Sequence, residues 1–179
     1  AYQSDEITYF VGNAEPAVVV CTPANFGWVS KIAFTAGTQH VFTLGDDRSG
    51  SLLQRAAAHG TTHATVPRAA DDLAAILYTS GTTGRSKGAM LTHGNLLSNA
   101  RVLHSYWGWR SPAQGGDVLI HALPIFHVHG LFVALHGALI NGSKLLWLNK
   151  FDPKTAIRWL PQATVFMGVP TLYTRMLAE

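Results

Sequence analysis

Cysteine, charge and long apolar runs are all scarce in this chain of 179 residues, and each shortage excludes something. The one cysteine, Cys21, has no internal partner for a disulfide; it closes the apolar run Val18-Val19-Val20 and is expected as a buried strand thiol rather than a reactive one. No apolar stretch approaches the roughly 18 residues of a membrane-spanning helix, and no charged-then-apolar leader opens the chain at Ala1. A soluble, cytoplasmic chain without a membrane span is the expectation. Charged residues make up 13% against 47% hydrophobic, so much of the surface is expected to be covered by further protein or by self-association. Lys and Arg are scattered over a net charge of +3 with no basic run, which argues against nucleic acid as a partner. Internal repeats and low-complexity tracts are absent as well.

What is present is alternation. Short apolar runs at 17–21, 41–44, 76–79, 118–123, 145–148 and 164–167 read as strands, and amphipathic stretches at 26–36, 51–59, 94–107, 130–140, 153–160 and 171–178 read as helices between them. This order implies an α/β fold of stacked, mainly parallel sheets flanked by helices. The polar, proline-containing link at 63–72 divides the chain into a first α/β subdomain at 1–67 and a second at 68–179. A further exposed turn is expected at 110–116, with Pro112 and paired glycines. Asp152-Pro153 places a capping acid and a first-turn proline at a helix start. Leu96, Leu97, Ala100 and Leu103 form a helical stripe expected to be core.

Between the apolar runs 74–78 and 89–91 stands Tyr78-Thr79-Ser80-Gly81-Thr82-Thr83-Gly84-Arg85-Ser86-Lys87-Gly88. Glycines free the backbone amides to point at phosphate oxygens, the hydroxyls of Thr79, Ser80, Thr82 and Thr83 add donors, and Lys87 adds a mobile charge. A flexible polar turn is the plain alternative, disfavoured by so many donors and glycines in one loop. A Walker loop is excluded by counting. Starting at Gly81, the second glycine of G-x-x-x-x-G-K-[ST] would fall on Ser86, and Lys87 is followed by Gly88 instead of a hydroxyl residue.

The loop instead resembles the signature of the adenylate-forming superfamily of acyl-CoA synthetases, luciferases and peptide-synthetase adenylation domains. Tyr78, Thr79, Ser80, Gly81, Thr82, Thr83, Gly84, Lys87 and Gly88 each stand at a signature position, and Leu91-Thr92-His93-Gly94-Asn95-Leu96 fits the trailing segment. The resemblance implies that Thr79, Ser80, Gly81, Thr82, Thr83, Gly84 and Lys87 bind the ATP phosphates and assist pyrophosphate release. A phosphotransferase is denied by the spacing.

Two further segments sit where ligands of α/β sheets collect, at the carboxyl ends of strands. In Leu123-Pro124-Ile125-Phe126-His127-Val128-His129-Gly130, the residues Phe126, His127 and Gly130 are similar to the superfamily's aromatic-His-x-x-Gly motif, which implies that His127 lies beside the substrate carboxylate as the catalytic-site residue. On an extended segment His127 and His129 can also face one way and chelate a metal, but His121 on the preceding strand and His136 on the following helix supply no evident third ligand. No metal site is therefore expected; satisfied histidines are the remaining alternative. In the other segment, 164–175, Gly168 permits close backbone approach before a helix start.

These segments, with Phe151-Asp152-Pro153, resemble malonyl-CoA synthetases within the superfamily. The resemblance implies a substrate site made by His127, His129, Gly168, Val169, Pro170, Thr171 and Arg175. A malonate-like acid keeps one carboxylate ionised during activation of the other, so its pocket has to offer cations or donors. An outward-facing helical arginine is the equal alternative for Arg175. The implied chemistry is ATP-dependent acyl-adenylate formation followed by transfer to CoA, with Mg²⁺ bridging phosphates. The superfamily's adenine-binding segment, magnesium-linked glutamate, ribose-binding aspartate and lysine-bearing C-terminal domain would follow Glu179. The chain is thus expected to be an incomplete portion of an acyl-CoA synthetase N-terminal domain, inactive alone. A ligase for another short-chain acid, and a non-catalytic nucleotide- or anion-binding module of the same fold, are the alternatives.

Overall fold

The computed structural model describes residues 4–79 and 86–179. It opens on a helix that was not among those expected, α1 (Ser4–Ala14), although Ile7, Phe10, Val11 and Ala14 recur at helical spacing, and then alternates as expected: β1 (Val18–Cys21), α2 (Phe26–Thr35), β2 (His40–Thr43) and α3 (Ser51–Ala57). β1 and β2 pair in parallel, with Val18 opposite His40 and Cys21 opposite Thr43. The β-branched run Val18-Val19-Val20 suits this pleated, partly covered sheet. Cys21 is half-buried, not buried as expected; its thiol lies 3.8 Å from the Phe42 carbonyl, and partial burial raises its pKa.

β3 (Leu73–Thr79) and β4 (Lys87–Thr92) form a two-stranded sheet, so apolar strands do flank the glycine-rich loop. The chain folds into two compact units, one holding the described residues up to Pro67 with those of 76–90, the other holding 68–75 with 91–179. The strand ends beside the loop thus group with the first unit, although the sequence placed them after the polar link. The cause is aromatic packing, since the Tyr78 ring lies 4.5 Å from Phe10 on α1.

In the second unit α4 (His93–Tyr106) starts with a reciprocal cap. Thr92 Oγ1 accepts from the Asn95 amide at 3.1 Å, and the Thr92 amide donates to Asn95 Oδ1 at 3.0 Å. Ala100 is buried within the expected stripe, but Leu97 is 39% exposed and lines an apolar groove with Leu96 and Phe132, so the stripe is core only in part.

A parallel sheet in the order β6-β5-β7 organises the rest, from β5 (Val118–His121), β6 (Lys144–Trp147) and β7 (Val165–Met167). Central β5 has neighbours on both sides, and Leu119, Ile120 and His121 are at most 1% exposed. This is why Val118-Leu119-Ile120 read as a continuous apolar run, with His121 following them into the interior. Trp109, Leu119, Leu123, Ala134 and Ala138 make the core against it. Gly137 keeps that packing close, because a Cβ there would meet the Trp109 ring at 3.2 Å.

The stretch at 130–140 is not one α-helix. His129–Leu135 is a π-helical segment that passes into α5 (His136–Asn141). The expected strand at 118–123 stops at His121, with Ala122 and Leu123 buried beyond it. α6 (Pro153–Trp159) begins as predicted, Asp152 accepting from the Thr155 amide at 2.8 Å with Pro153 in the first turn. α7 (Pro170–Leu177) follows β7. The 110–116 turn is anchored by Asp117, whose carboxylate accepts from the Arg110 amide at 2.6 Å, Arg110 Nε at 3.1 Å and Thr164 Oγ1 at 2.7 Å. Among the described residues, no helix is long and apolar enough to cross a membrane.

Candidate functional site

The first candidate region begins where β3 ends. Thr79 closes β3 and Lys87 opens β4, both exposed, while Ser80, Gly81, Thr82, Thr83 and Gly84 lie outside the described residues. The signature's two outer residues touch. A Cβ at Gly88 would stand 3.2 Å from Tyr78 Cε1 and 2.8 Å from Ile76 Cγ2, so only glycine leaves room for the Tyr78 ring over β4. Tyr78 Oη donates to Asn13 Oδ1 at 2.6 Å.

The second region is a cavity of about 810 Å³ at the carboxyl ends of β5 and β6, closed on another side by the start of α7. Ligands of parallel sheets bind at this end. Leu123, Phe126, Trp147, Phe151, Val169 and Leu172 supply its apolar walls; His127, His129, Asn149 and Lys150 supply its polar groups. His127 is exposed, and its ring centre lies 4.6 Å from that of Phe126. Its amide donates to the Pro124 carbonyl at 3.2 Å and its carbonyl accepts from Leu131 at 3.1 Å, so the backbone carrying the imidazole is held from both sides.

Gly130 explains the spacing of the histidine motif. It is buried, and a Cβ would lie 2.3 Å from the Pro124 carbonyl oxygen and 3.2 Å from that of Leu123. No side chain fits there without moving backbone. Behind it, His121 is 1% exposed, with Nε2 2.9 Å from the Gly130 carbonyl and its ring stacked on Trp147 at 4.4 Å and 7°. A carbonyl only accepts, so Nε2 carries the proton; Nδ1 is buried without a hydrogen-bond partner among the described residues. His121 thereby ties the start of the π segment to a wall of the cavity.

The expected acid-binding set divides. His127, His129 and Val169 line the cavity. Gly168 lies beside it, its missing side chain making room for Tyr173 and Phe166, whose rings meet edge to face at 5.4 Å. Pro170 begins α7, and the Thr171 carbonyl accepts from Thr174 Oγ1 at 3.1 Å. Arg175 is exposed, its guanidinium 4.9 Å from the centre of the Phe151 ring, so it stands behind a lining residue and is not itself among the lining residues. Asn149, Lys150 and Phe151 were missed as lining residues. The signal was available, because they follow the predicted strand at 145–148 and so occupy a carboxyl strand end.

Among the described residues, no group of three or more His, Cys, Asp or Glu side chains converges in a way that could hold a metal. The arrangement suits a small anion held by nitrogen donors among apolar walls.

The family model for AMP-binding enzymes matches residues 1–179. The chain belongs to that family. Within the AMP-binding enzymes, the structure of ATP-bound MatB from Rhodopseudomonas palustris is 52% identical with a TM-score of 0.92, covering 100% of this chain and 35% of that one. A malonyl-CoA ligase in a ternary product complex with methylmalonyl-CoA and AMP is 30% identical with a TM-score of 0.69, covering 96% of this chain and 33% of that one. The mitochondrial malonate–CoA ligase ACSF3 of Xenopus laevis is 42% identical over 110 residues, which are 59% of this chain and 18% of that protein. The chain thus spans about a third of the length of the solved relatives it matches. The α/β architecture with parallel sheets matches the N-terminal domain of acyl-CoA synthetases.

Proposed function

We propose that this AMP-binding chain is the phosphate-gripping and acid-binding part of an ATP-dependent acid–CoA ligase, acting on malonate or a close dicarboxylate. The observation that carries the reading is the cavity at the carboxyl ends of β5 and β6, where His127, His129 and Lys150 are set among apolar walls beside the aromatic-His-x-x-Gly turn. A monocarboxylic fatty acid needs only an apolar tunnel, whereas a dicarboxylate needs cations or donors for the charge that is not activated. The names of the similar ligases support the same substrate class.

In this reading the activated carboxylate attacks the α-phosphate of ATP, giving an acyl-adenylate and pyrophosphate. The thiol of CoA then displaces AMP and leaves a thioester. Thr79, Ser80, Gly81, Thr82, Thr83, Gly84 and Lys87 hold the leaving pyrophosphate, where fixed donors offset the charge that collects as the bond breaks. His127 orients the acid, its backbone fixed by Pro124 and Leu131. Val169 packs against the acid, and Gly168, Pro170 and Thr171 set the turn that carries it. Mg²⁺ accompanies the nucleotide, and no residue described here is assigned to it.

The test is pyrophosphate release by the enzyme in its full-length context, with malonate, methylmalonate, acetate and a long-chain acid offered separately. ATP-dependent release with malonate or methylmalonate, and far less with the long-chain acid, is expected. Release with acetate alone moves the reading to a short monocarboxylate. No release with any acid leaves a non-catalytic nucleotide-binding module.

A further inference from the structure

Helix α1 lies outside every signature segment, yets its side chains reach both ends of the phosphate loop. Tyr9 and Asn13 are four residues apart and share one face of α1. Tyr9 Oη donates to the Ser86 carbonyl at 2.9 Å, directly beyond the segment 80–85. Asn13 Oδ1 accepts from Tyr78 Oη at 2.6 Å, two residues before that segment. Between these bonds, Phe10 packs on the Tyr78 ring at 4.5 Å, and the Tyr9 ring meets Tyr78 edge-on at 6.2 Å and 74°. One turn of helix therefore grips the entry and the exit of the loop at once.

We propose that α1 is a positioning element for the phosphate loop, with Tyr9 and Asn13 as its positioning residues. The inference rests on the reading of the loop given under the proposed function. Neither residue is placed against the nucleotide. Their work is to fix the separation of the two stems, at Tyr78 and Ser86, between which the phosphate signature is strung. The pairing also gives Tyr78 a task beyond core packing, since its ring covers Gly88 and its hydroxyl reaches α1.

The test uses the full-length enzyme carrying Tyr9→Phe, Asn13→Ala or both, with Asn13→Asp as the conservative control that keeps an acceptor for Tyr78. Each lost bond is expected to raise the KM for ATP about two- to tenfold, the double change more, while the KM for malonate stays put. Asn13→Asp is expected to restore most of the ATP affinity. A second readout needs no turnover: tryptic cleavage after Arg85 and Lys87, without nucleotide, is expected to quicken several-fold in the double variant.

Unchanged ATP KM and unchanged cleavage, in an enzyme that turns over malonate, overturn the proposal. An equal rise in both KM values overturns it too, because that signals a general loss of structure. If the parent enzyme releases no pyrophosphate with any acid, the ligase reading fails by itself, and the cleavage rates still decide whether α1 braces the loop.

Discussion

The ring of Tyr78 lies over Gly88, so the residues that open and close the phosphate-loop signature are in contact across β3 and β4. A methyl group at position 88 would press to 2.8 Å from Ile76 Cγ2 and 3.2 Å from the Tyr78 ring. Replacing glycine by alanine in a strand gains about 0.4–1 kcal/mol through the unfolded chain, but overpacking of this kind costs roughly 1–3 kcal/mol. Overpacking wins. Gly88→Ala is therefore expected to lower stability by roughly 1–2 kcal/mol in chemical denaturation. The penalty is expected to shrink when Ile76→Ala is made alongside, and an additive double variant would show that the crowding is not the cause.

A second prediction concerns His121. Its Nε2–H is the donor to the Gly130 carbonyl, in a place that is 1% exposed. His121→Leu leaves that carbonyl without its partner at a cost of about 1–3 kcal/mol and loosens the turn that carries His127. The malonate KM is expected to rise with it. His121→Gln, which keeps a donor of similar reach, is expected to recover part of both losses. Nitrogen NMR of the parent protein is expected to show the Nε2–H tautomer; the Nδ1–H form would contradict the hydrogen bond on which the prediction rests.

Much of this architecture was legible because most of its strands hold a short apolar run. Val118-Leu119-Ile120 give an unbroken hydrophobic run at the centre of their sheet, and Asp152-Pro153 announces α6 through two independent local preferences. The histidine motif was legible for a local reason too, since Gly130 must be glycine where the Pro124 carbonyl crosses it. α1 was legible only as a helix: Ile7, Phe10, Val11 and Ala14 stand at i, i+3, i+4 and i+7, but nothing local announces its bonds to Ser86, 77 positions from Tyr9, and to Tyr78, 65 positions from Asn13. The π segment escaped for a similar reason: apolar periodicity over 130–140 reports a helix, but not which carbonyl each amide will meet. Arg175 shows the limit of motif matching, because matching alone could not put the Phe151 ring beneath its guanidinium.

The third prediction is a pH dependence. Asp117 is 6% exposed, and burial pushes its pKa up. Hydrogen bonds from Thr164 and from the amide and guanidinium of Arg110, with the guanidinium charge, more than offset this and hold the carboxyl below its ordinary value. A carboxyl with a depressed folded pKa adds stability that is complete above its unfolded value, about 3.9, and is lost as pH falls through the folded one. Asp117→Asn is expected to lower stability at neutral pH by about 1–3 kcal/mol, because an amide nitrogen cannot accept from these donors. The gap between parent and variant is expected to narrow below about pH 4. A gap that stays constant down to pH 2 would mean that the charge of Asp117 plays no part.

The last prediction separates two cations. Arg175 matches the malonyl-CoA synthetase pattern, but it is exposed and rests 4.9 Å over the Phe151 ring, worth about 0.5–1 kcal/mol as a cation–π contact at an exposed site. Lys150 carries no motif, yet it lines the cavity with His127 and His129. If the ionised end of the acid is met by the lining cation, Lys150→Ala is expected to raise the malonate KM by about tenfold or more, in keeping with loss of a charged hydrogen bond of roughly 1.5–3 kcal/mol. The ATP KM is expected to hold. Lys150→Arg, which keeps the charge, is expected to retain most of the affinity. Arg175→Ala acts only through the seating of Phe151 in this arrangement, so its malonate effect is expected to stay within about threefold and to be matched by Phe151→Leu. Steady-state kinetics with malonate and ATP varied in turn decides between them. A large malonate effect at Arg175 with none at Lys150 would return the arginine to the pocket and remove the lysine.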